Sequence, residues 1–190
     1  VIMSFSSAAT IKHIFAAGLF AVAVLGLIIW LTPYRLQRIT TFLNSSNDKS
    51  GAGYQINQSL NAIGSGGLWG IGYGRSTSKI SYLPAPMGDS IFAVAAEELG
   101  FIGAGALITM FGILVFRLFW IAKGLRDKFG QLVLVGFGSL VALQSLMNMG
   151  ALSGFLPLTG VPLPFISYGG TALAVFLTLS GMAVNVSKYT

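Results

Sequence analysis

One carboxylate in this sequence is placed where it can take part in acid–base chemistry. Asp89 follows the short segment 84–88 (Pro-Ala-Pro-Met-Gly) and precedes a long apolar run, so we expect it at the N-terminus of a helix, where negative charge is stabilised. It is the only acid between Asp48 and Glu97. A single carboxylate in this position can act as the general base that deprotonates a hydroxyl group, although helix capping explains the same position.

A glycine-rich segment and two basic residues precede Asp89. Residues 64–74 contain six glycines, which permit backbone conformations closed to other residues, and the amides of such a segment can bind phosphate oxygens. This makes Gly66 and Gly67 candidate substrate-binding residues. The Gly-Lys-Ser/Thr ending of a Walker loop is absent, and a tightly folded re-entrant loop is the alternative. Arg75 and Lys79 would suit a pyrophosphate group, although both can also be interfacial residues.

Two further acids, Glu97 and Glu98, lie inside the apolar run that follows Asp89. An acid inside a membrane segment is costly enough to suggest a function. On a helix the two acids lie about 12 to 14 Å from Asp89 along the axis, at about 1.5 Å per residue. At about 100° per residue, only Glu97 faces nearly the same side as Asp89. Glu97 is therefore a candidate for the same cavity, and an internal hydrogen bond or ion pair that joins helices is the alternative.

The elements that position these residues are predicted to be membrane helices. Hydrophobic residues make up 54% of the 190 residues and charged residues 8%, whereas soluble domains carry about 25% charged residues. Four apolar runs are long enough to span a bilayer. The predicted fold class is all-α, a polytopic transmembrane helical bundle with a long loop at about 33–90. The predicted spans are 14–32, 91–121, 132–155 and 169–187.

Two amides and a run of basic residues refine this topology. Gln144 and Asn148 are four residues apart on one face of the third span, and we expect them to hydrogen-bond between helices. Basic residues crowd the connection from Arg117 to Lys128, whereas residues 156–168 carry no charge. Because cytoplasmic loops are enriched in Lys and Arg, we expect that connection and both ends of the chain in the cytoplasm, and loop 33–90 outside.

Composition also excludes several classes of function. The net charge is +6, but the basic residues are scattered and no nucleic-acid-binding pattern occurs. The sequence has no cysteine and one histidine, which excludes disulfides, thiolate metal sites and histidine-cluster zinc sites. The chain begins with Val1 and shows no targeting segment, so we expect it to be the C-terminal part of a longer protein.

Several motifs occur in an order that resembles the SEDS family (shape, elongation, division and sporulation; the FtsW/RodA/SpoVE type) over nearly the whole chain. The pattern Ser76-x-x-Lys79-x-x-Tyr82-Leu83-Pro84 resembles the division branch more than the elongation branch. The other motifs are Tyr54-Gln55, Gln58-Ser59-Leu60, 62–67 (Ala-Ile-Gly-Ser-Gly-Gly), 70–74 (Gly-Ile-Gly-Tyr-Gly), 89–94 (Asp-Ser-Ile-Phe-Ala-Val), 97–100 (Glu-Glu-Leu-Gly) and 164–170 (Pro-Phe-Ile-Ser-Tyr-Gly-Gly).

The resemblance implies a peptidoglycan glycosyltransferase of the bacterial cytoplasmic membrane that polymerises lipid II during cell division or cell-shape maintenance. The essential aspartate of the family falls on Asp89, as base on the acceptor hydroxyl. Arg75, Lys79 or a divalent cation would neutralise the departing pyrophosphate. The motif 164–170 adds Ser167 and Tyr168 to the predicted substrate-binding residues. Implied partners are a class B penicillin-binding protein and other division or elongation proteins.

The sequence departs from the family at one place and leaves two other functions open. Family members commonly have Pro-Glu-x-His-Thr where residues 84–88 read Pro-Ala-Pro-Met-Gly, so a mechanism that uses those residues is in doubt here. A lipid II transporter is one alternative, and it predicts that Glu97, Gln144 and Asn148 matter as much as Asp89. A non-catalytic scaffold for a penicillin-binding protein is the other, and it predicts that Asp89 is dispensable.

Overall fold

The described part of the chain is helical. The computed structural model describes residues 19–20, 24, 52–76 and 88–188, and no strand occurs among them. Four helices follow one another: α1 (Ala52–Ser65), α2 (Ile91–Gly124), α3 (Lys128–Leu152) and α4 (Gly170–Ser187). The predicted all-α fold class is confirmed for these residues. The predicted first span, 14–32, lies outside the described residues apart from Leu19, Phe20 and Val24, and so does Lys79.

Three of the helices, α2, α3 and α4, are long and apolar enough to cross a membrane. They correspond to the second, third and fourth predicted spans, with ends that differ by a few residues. Both faces of α2 are apolar, because Phe111 and Leu118 are buried while Ile113 and Phe116 are exposed. A helix that is apolar all round suits a lipid environment on its outer side. The chain is therefore a multi-pass membrane protein.

The ends of α3 differ from the predicted span because of local capping. Asp127 caps the N-terminus, where its carboxylate accepts hydrogen bonds from the amides of Phe129 (3.3 Å) and Gly130 (2.8 Å). At the C-terminus, Gly154 has a φ of 76°. The Phe155 amide donates to the Gly150 carbonyl at 2.8 Å, which completes a Schellman motif. The helix therefore starts at Lys128 and ends at Leu152.

A kink at Gly100 divides α2 into two parts. The helix has 34 residues, and Gly100 inside it has φ 70° and ψ −169°. At about 1.5 Å per residue the whole helix would be about 51 Å long, against a hydrocarbon core of about 30 Å. The kink leaves a short half-helix, 91–99, before a continuous helix, 101–124, that is long enough to span alone. Glu97 and Glu98 belong to the short half-helix.

Helix α1 lies within the predicted polar loop 33–90, which the sequence interpretation described only as a Gly/Ser-rich segment. Its buried side is formed by Ile56, Ser59 and Ala62, with Ile63 partly buried. This side packs on α2 and, to a smaller extent, on α3. The spacing of Ile56, Ser59 and Ile63 is typical of one helix face and was the available sequence signal.

Candidate functional site

Asp89 lies in the turn 88–90 that leads directly into α2. The N-cap of α2 is Ser90, so Asp89 stands one position before the cap rather than at it. Two side chains from other helices hold this turn. The Asn148 side-chain amide of α3 donates to the Asp89 carbonyl at 2.9 Å, and the Gln55 amide of α1 donates to Ser90 Oγ at 3.1 Å. The turn that carries Asp89 is thus restrained from two sides.

Asn148 also reaches the proline-rich connection between α3 and α4. Its Nδ2 donates a second hydrogen bond to the Val161 carbonyl at 2.8 Å. The side chain is buried, and its Oδ1 has no hydrogen-bond partner among the described residues. Asn148 was predicted to hydrogen-bond between helices; its two bonds do leave α3, but they end on a turn and on a connection and not on another helix. For Gln144 a bond between helices stays a prediction, since the buried Gln144 Oε1 has no partner in the part of the chain that the structure describes.

The glycine-rich segment pairs with the backbone of α2 at the kink, in what we call the glycine clasp (residues 66–72 with 96–102). The amides of Ile71 and Gly72 donate to the carbonyls of Glu97 and Glu98, each at 3.1 Å. In return, the amides 101 and 102 donate to the carbonyls 67 and 68, at 2.8 and 3.3 Å. These four bonds satisfy helix backbone groups that the kink at Gly100 would otherwise leave unpaired.

Glycines at this contact allow a very close backbone approach. A Cβ on Gly66 would clash with the Ala96 carbonyl oxygen, and a Cβ on Gly70 would clash with the Glu98 carbonyl oxygen. Gly66 is therefore buried by packing against α2, whereas Gly67 is exposed with a φ of 53°. The segment is thus a tightly folded loop packed on α2. The amides of Ile71 and Gly72 already donate hydrogen bonds to carbonyls of α2. Substrate binding at Gly66 and Gly67 stays a prediction.

Glu97 is enclosed rather than open to a cavity. Its side chain is 1% exposed, and Oε2 accepts a hydrogen bond from the Ser76 hydroxyl at 2.5 Å. Glu97 thus makes an internal hydrogen bond, as its alternative interpretation predicted, but the partner lies on the segment after the glycine clasp and not on another helix. Glu98 is 7% exposed, and its Oε1 has no hydrogen-bond partner among the described residues. A direct substrate contact by Glu97 stays a prediction.

Removing the Ser76 hydroxyl is expected to destabilise this part of the protein. Ser76→Ala leaves a buried carboxylate oxygen short of one donor, which costs about 1 to 3 kcal/mol. We expect a lower thermal unfolding midpoint for the purified full-length variant in detergent. Thr178→Ala is the matched control, because Thr178 is exposed and, among the described residues, bonds only the Ala174 carbonyl of its own helix, at 2.8 Å. Equal midpoints for the two variants would show that the Ser76 bond contributes nothing.

The remaining predicted substrate-binding residues differ in exposure. Arg75 is exposed at the end of the glycine-rich segment, where its amide donates to the Gly72 carbonyl at 3.2 Å. Tyr168 is 85% exposed. Ser167 is buried instead, and its Oγ accepts from the Leu163 amide at 2.7 Å. Arg75 and Tyr168 are therefore available to a ligand, while Ser167 closes the turn that precedes Tyr168.

The turn 163–167 is shaped by an unusual backbone conformation. Phe165 has a φ of 64°, a conformation that a bulky side chain rarely adopts. Its ring lies 5.3 Å from that of Phe176 on α4, which is buried. The Ser167 amide also donates to the Leu163 carbonyl at 3.1 Å. The ring contact and the two bonds between Leu163 and Ser167 together hold the turn against the start of α4.

Sequence reasoning missed the partners of the positioning side chains at this site. The bonds of Asn148 and Gln55 join residues 59 and 35 positions apart, which spacing along a helix does not reveal. Ser76 was visible only as part of a family motif. Among the described residues no group of three or more His, Asp or Glu side chains could hold a metal ion. We therefore derive no step through a divalent cation.

The fold and this site define a class: a polytopic helical membrane protein in which side chains of two neighbouring helices hold the aspartate-bearing turn that precedes a broken helix. The family model FtsW/RodA/SpoVE, described as cell cycle protein, matches residues 1–190. The chain belongs to this family. The resemblance drawn from the motifs is thereby confirmed.

Individual relatives agree with this assignment. Stage V sporulation protein E of Bacillus subtilis (strain 168) is 43% identical over 189 residues, which cover 100% of this chain and 52% of that protein. A probable peptidoglycan glycosyltransferase FtsW of Trichlorobacter lovleyi is 40% identical, over 98% of this chain and 49% of the relative. The chain thus spans about half the length of the curated relatives it matches.

A solved structure shares the fold. It comes from work entitled "Structural coordination of polymerization and crosslinking by a peptidoglycan synthase complex". The match has a TM-score of 0.76 and 29% sequence identity, and it covers 98% of this chain and 52% of that one. The fold of this chain is therefore similar to that of a chain in that complex.

Proposed function

We propose that the whole protein is a peptidoglycan glycosyltransferase that polymerises lipid II into glycan strands. The observation that carries this proposal is the restrained turn at Asp89, in a chain whose relatives include proteins named probable peptidoglycan glycosyltransferase FtsW. A carboxylate that acts as a base must be held close to the hydroxyl it deprotonates. The hydrogen bonds from α1 and α3 supply that restraint.

In the proposed reaction Asp89 acts as the general base. Its carboxylate accepts the proton of the 4-hydroxyl on the incoming GlcNAc, and that oxygen forms a new bond to the anomeric carbon of the growing strand. The bond from that carbon to undecaprenyl pyrophosphate breaks, and the pyrophosphate leaves with the electron pair. Arg75 and Lys79 are proposed to neutralise the charge of the pyrophosphate, because charge-assisted hydrogen bonds to phosphate are strong.

Location and partners follow from the same proposal. The protein would lie in the bacterial cytoplasmic membrane with both ends of this chain in the cytoplasm. The Asp89 end of α2 would then face outward, and the basic connection at Arg126 would face inward, because cytoplasmic loops are rich in Lys and Arg. The likeness to a chain of a peptidoglycan synthase complex supports a class B penicillin-binding protein as partner, with other division or elongation proteins.

Glycan-strand formation from purified lipid II tests the proposal directly. The full-length protein would be assayed with and without its penicillin-binding partner, and strands would be resolved by gel electrophoresis. A parallel assay would follow lipid II movement across vesicles that contain the same protein. Strand formation supports the glycosyltransferase. Lipid II movement without strand formation would instead support the transporter, and neither activity would favour the scaffold.

Arg75→Ala is expected to weaken lipid II binding without abolishing turnover. Losing one charge-assisted bond to the pyrophosphate corresponds to a rise in KM of about 10-fold, and kcat should fall as well because the charge on the pyrophosphate grows as it leaves. Arg126→Ala is the matched control. Arg126 is also exposed and basic, but it follows the opposite end of α2 and should leave KM unchanged. Equal KM values for both variants would remove Arg75 from the proposed site.

A further inference from the structure

We infer that Asn148 is a positioning residue for the reaction at Asp89, an inference that rests on the proposed function. Asn148 lies on α3 and is 3% exposed, so it does not need to touch substrate to act. It acts through the backbone of the turn that carries Asp89. The same side chain fixes the distance between that turn and the connection that leads to Tyr168.

Both hydrogens of the Asn148 amide are used. One is donated to the Asp89 carbonyl at 2.9 Å and the other to the Val161 carbonyl at 2.8 Å. A primary amide has two donors, so no donor remains for another partner. Reversing the amide would place Oδ1 against two carbonyl oxygens, which only accept hydrogen bonds. The two carbonyls therefore fix the orientation of the amide.

The bond to Asp89 acts on the residue that we assign as the base. A restraint on the Asp89 carbonyl sets the peptide plane between Asp89 and Ser90, and with it the direction from which the carboxylate projects. The Gln55 bond restrains the Ser90 side chain from α1, but it does not reach the proline-rich connection. Asn148 thus ties the turn directly to that connection, with one hydrogen bond to each.

Because Asn148 is buried, the two carbonyls need a side chain with two donors, such as an amide. Leaving a buried carbonyl without a donor costs about 1 to 3 kcal/mol, and a carboxylate facing two carbonyls is worse because it supplies no donor when ionised. The side chain introduced by Asn148→Asp has nearly the same shape and at most one donor, so at least one of the two hydrogen bonds is lost with little change in packing. Asn148→Ala is a second variant that removes the donors without adding repulsion.

Steady-state polymerisation of lipid II by the full-length protein with its penicillin-binding partner tests the inference. We expect kcat to fall about 10- to 100-fold in both variants, because a misplacement of about 1 Å can have that effect. KM for lipid II should stay within about twofold, since the turn before Tyr168 keeps its own bonds between Leu163 and Ser167, and Arg75 lies on a different segment. Ser139→Ala is the matched control: Ser139 is buried on the same helix, but within the described part of the chain it bonds only the Val135 carbonyl of its own helix, at 2.7 Å.

The outcomes separate a positioning role from general destabilisation. A lower kcat with unchanged KM in either folded, partner-bound variant supports the inference when Ser139→Ala matches wild type. A kcat within twofold of wild type overturns it, and so does a parallel change of KM and kcat. Polymer formed at the wild-type rate by the Asn148 variants, but none from Asp89→Asn, would overturn the role of Asn148 alone. No polymer from wild type would overturn the proposed function and this inference together.

Discussion

Replacing Asp89 with asparagine is expected to abolish glycan-strand formation while the protein still folds and binds its partner. A general base contributes about 100- to 10,000-fold to a rate, and asparagine cannot accept the proton. The fold should survive, because the Asn148 bond is made to the Asp89 backbone carbonyl, which asparagine retains. The measurement is strand formation from lipid II by full-length variants with matched expression and thermal unfolding midpoints.

Asp127→Asn is the control for this substitution. It makes the same chemical change at the N-cap of α3, next to the basic connection and at the far end of α2. Asparagine is as good an N-cap as aspartate, so stability and activity should both be retained. Equal polymer from Asp89→Asn and wild type would reduce Asp89 to a structural residue, and activity lost equally in both variants would point to a charge effect unrelated to the site.

Replacing Gly100 with alanine is expected to have the second large effect, on folding. Gly100 has a φ of 70°, and a Cβ there would clash with the Gly70 amide nitrogen and the Leu68 carbonyl oxygen. The backbone conformation alone costs a residue with a side chain about 1 to 3 kcal/mol, and the clash would also break the glycine clasp. We expect a large drop in the thermal unfolding midpoint of the full-length protein, or no folded protein.

Gly112→Ala on the same helix separates the clasp from general helix effects. An added Cβ at Gly112 meets nothing within 4 Å, so alanine should stabilise the helix by up to about 1 kcal/mol. Gly70→Ala adds a Cβ on the opposite side of the contact, against the Glu98 carbonyl oxygen, and should lower the unfolding midpoint as Gly100→Ala does. Similar midpoints for the Gly100 and Gly112 variants would contradict the clasp.

Much of the fold could be predicted from the chain because bilayer insertion depends on local hydrophobicity. Runs of about 20 apolar residues can only be helices in lipid, which is why α2, α3 and α4 appear near their predicted positions. Asp89 also stood out locally, as an isolated acid before an apolar run. The family motifs were readable for the same reason, since each is a short contiguous pattern.

Other features depend on groups far apart in sequence. The position of helix α1 depends on its burial against α2. The backbone groups that the kink at Gly100 leaves unpaired bond to amides and carbonyls of residues 67–72. Ser76 and Glu97 meet across 21 positions. Asn148 was recognisable as polar, but its two carbonyl partners were not.

The sequence by itself determined that this is a membrane protein of the SEDS type with an aspartate before its second predicted span. Only the tertiary structure decided that Asp89 lies in a turn bonded by Asn148 and that the buried Glu97 accepts a hydrogen bond from Ser76. It also decided that Gly66 and Gly70 pack closely against the backbone of α2. The physical reason is that apolar length is a property of neighbouring residues. Hydrogen-bond partners and steric contacts between segments exist only after the chain has folded.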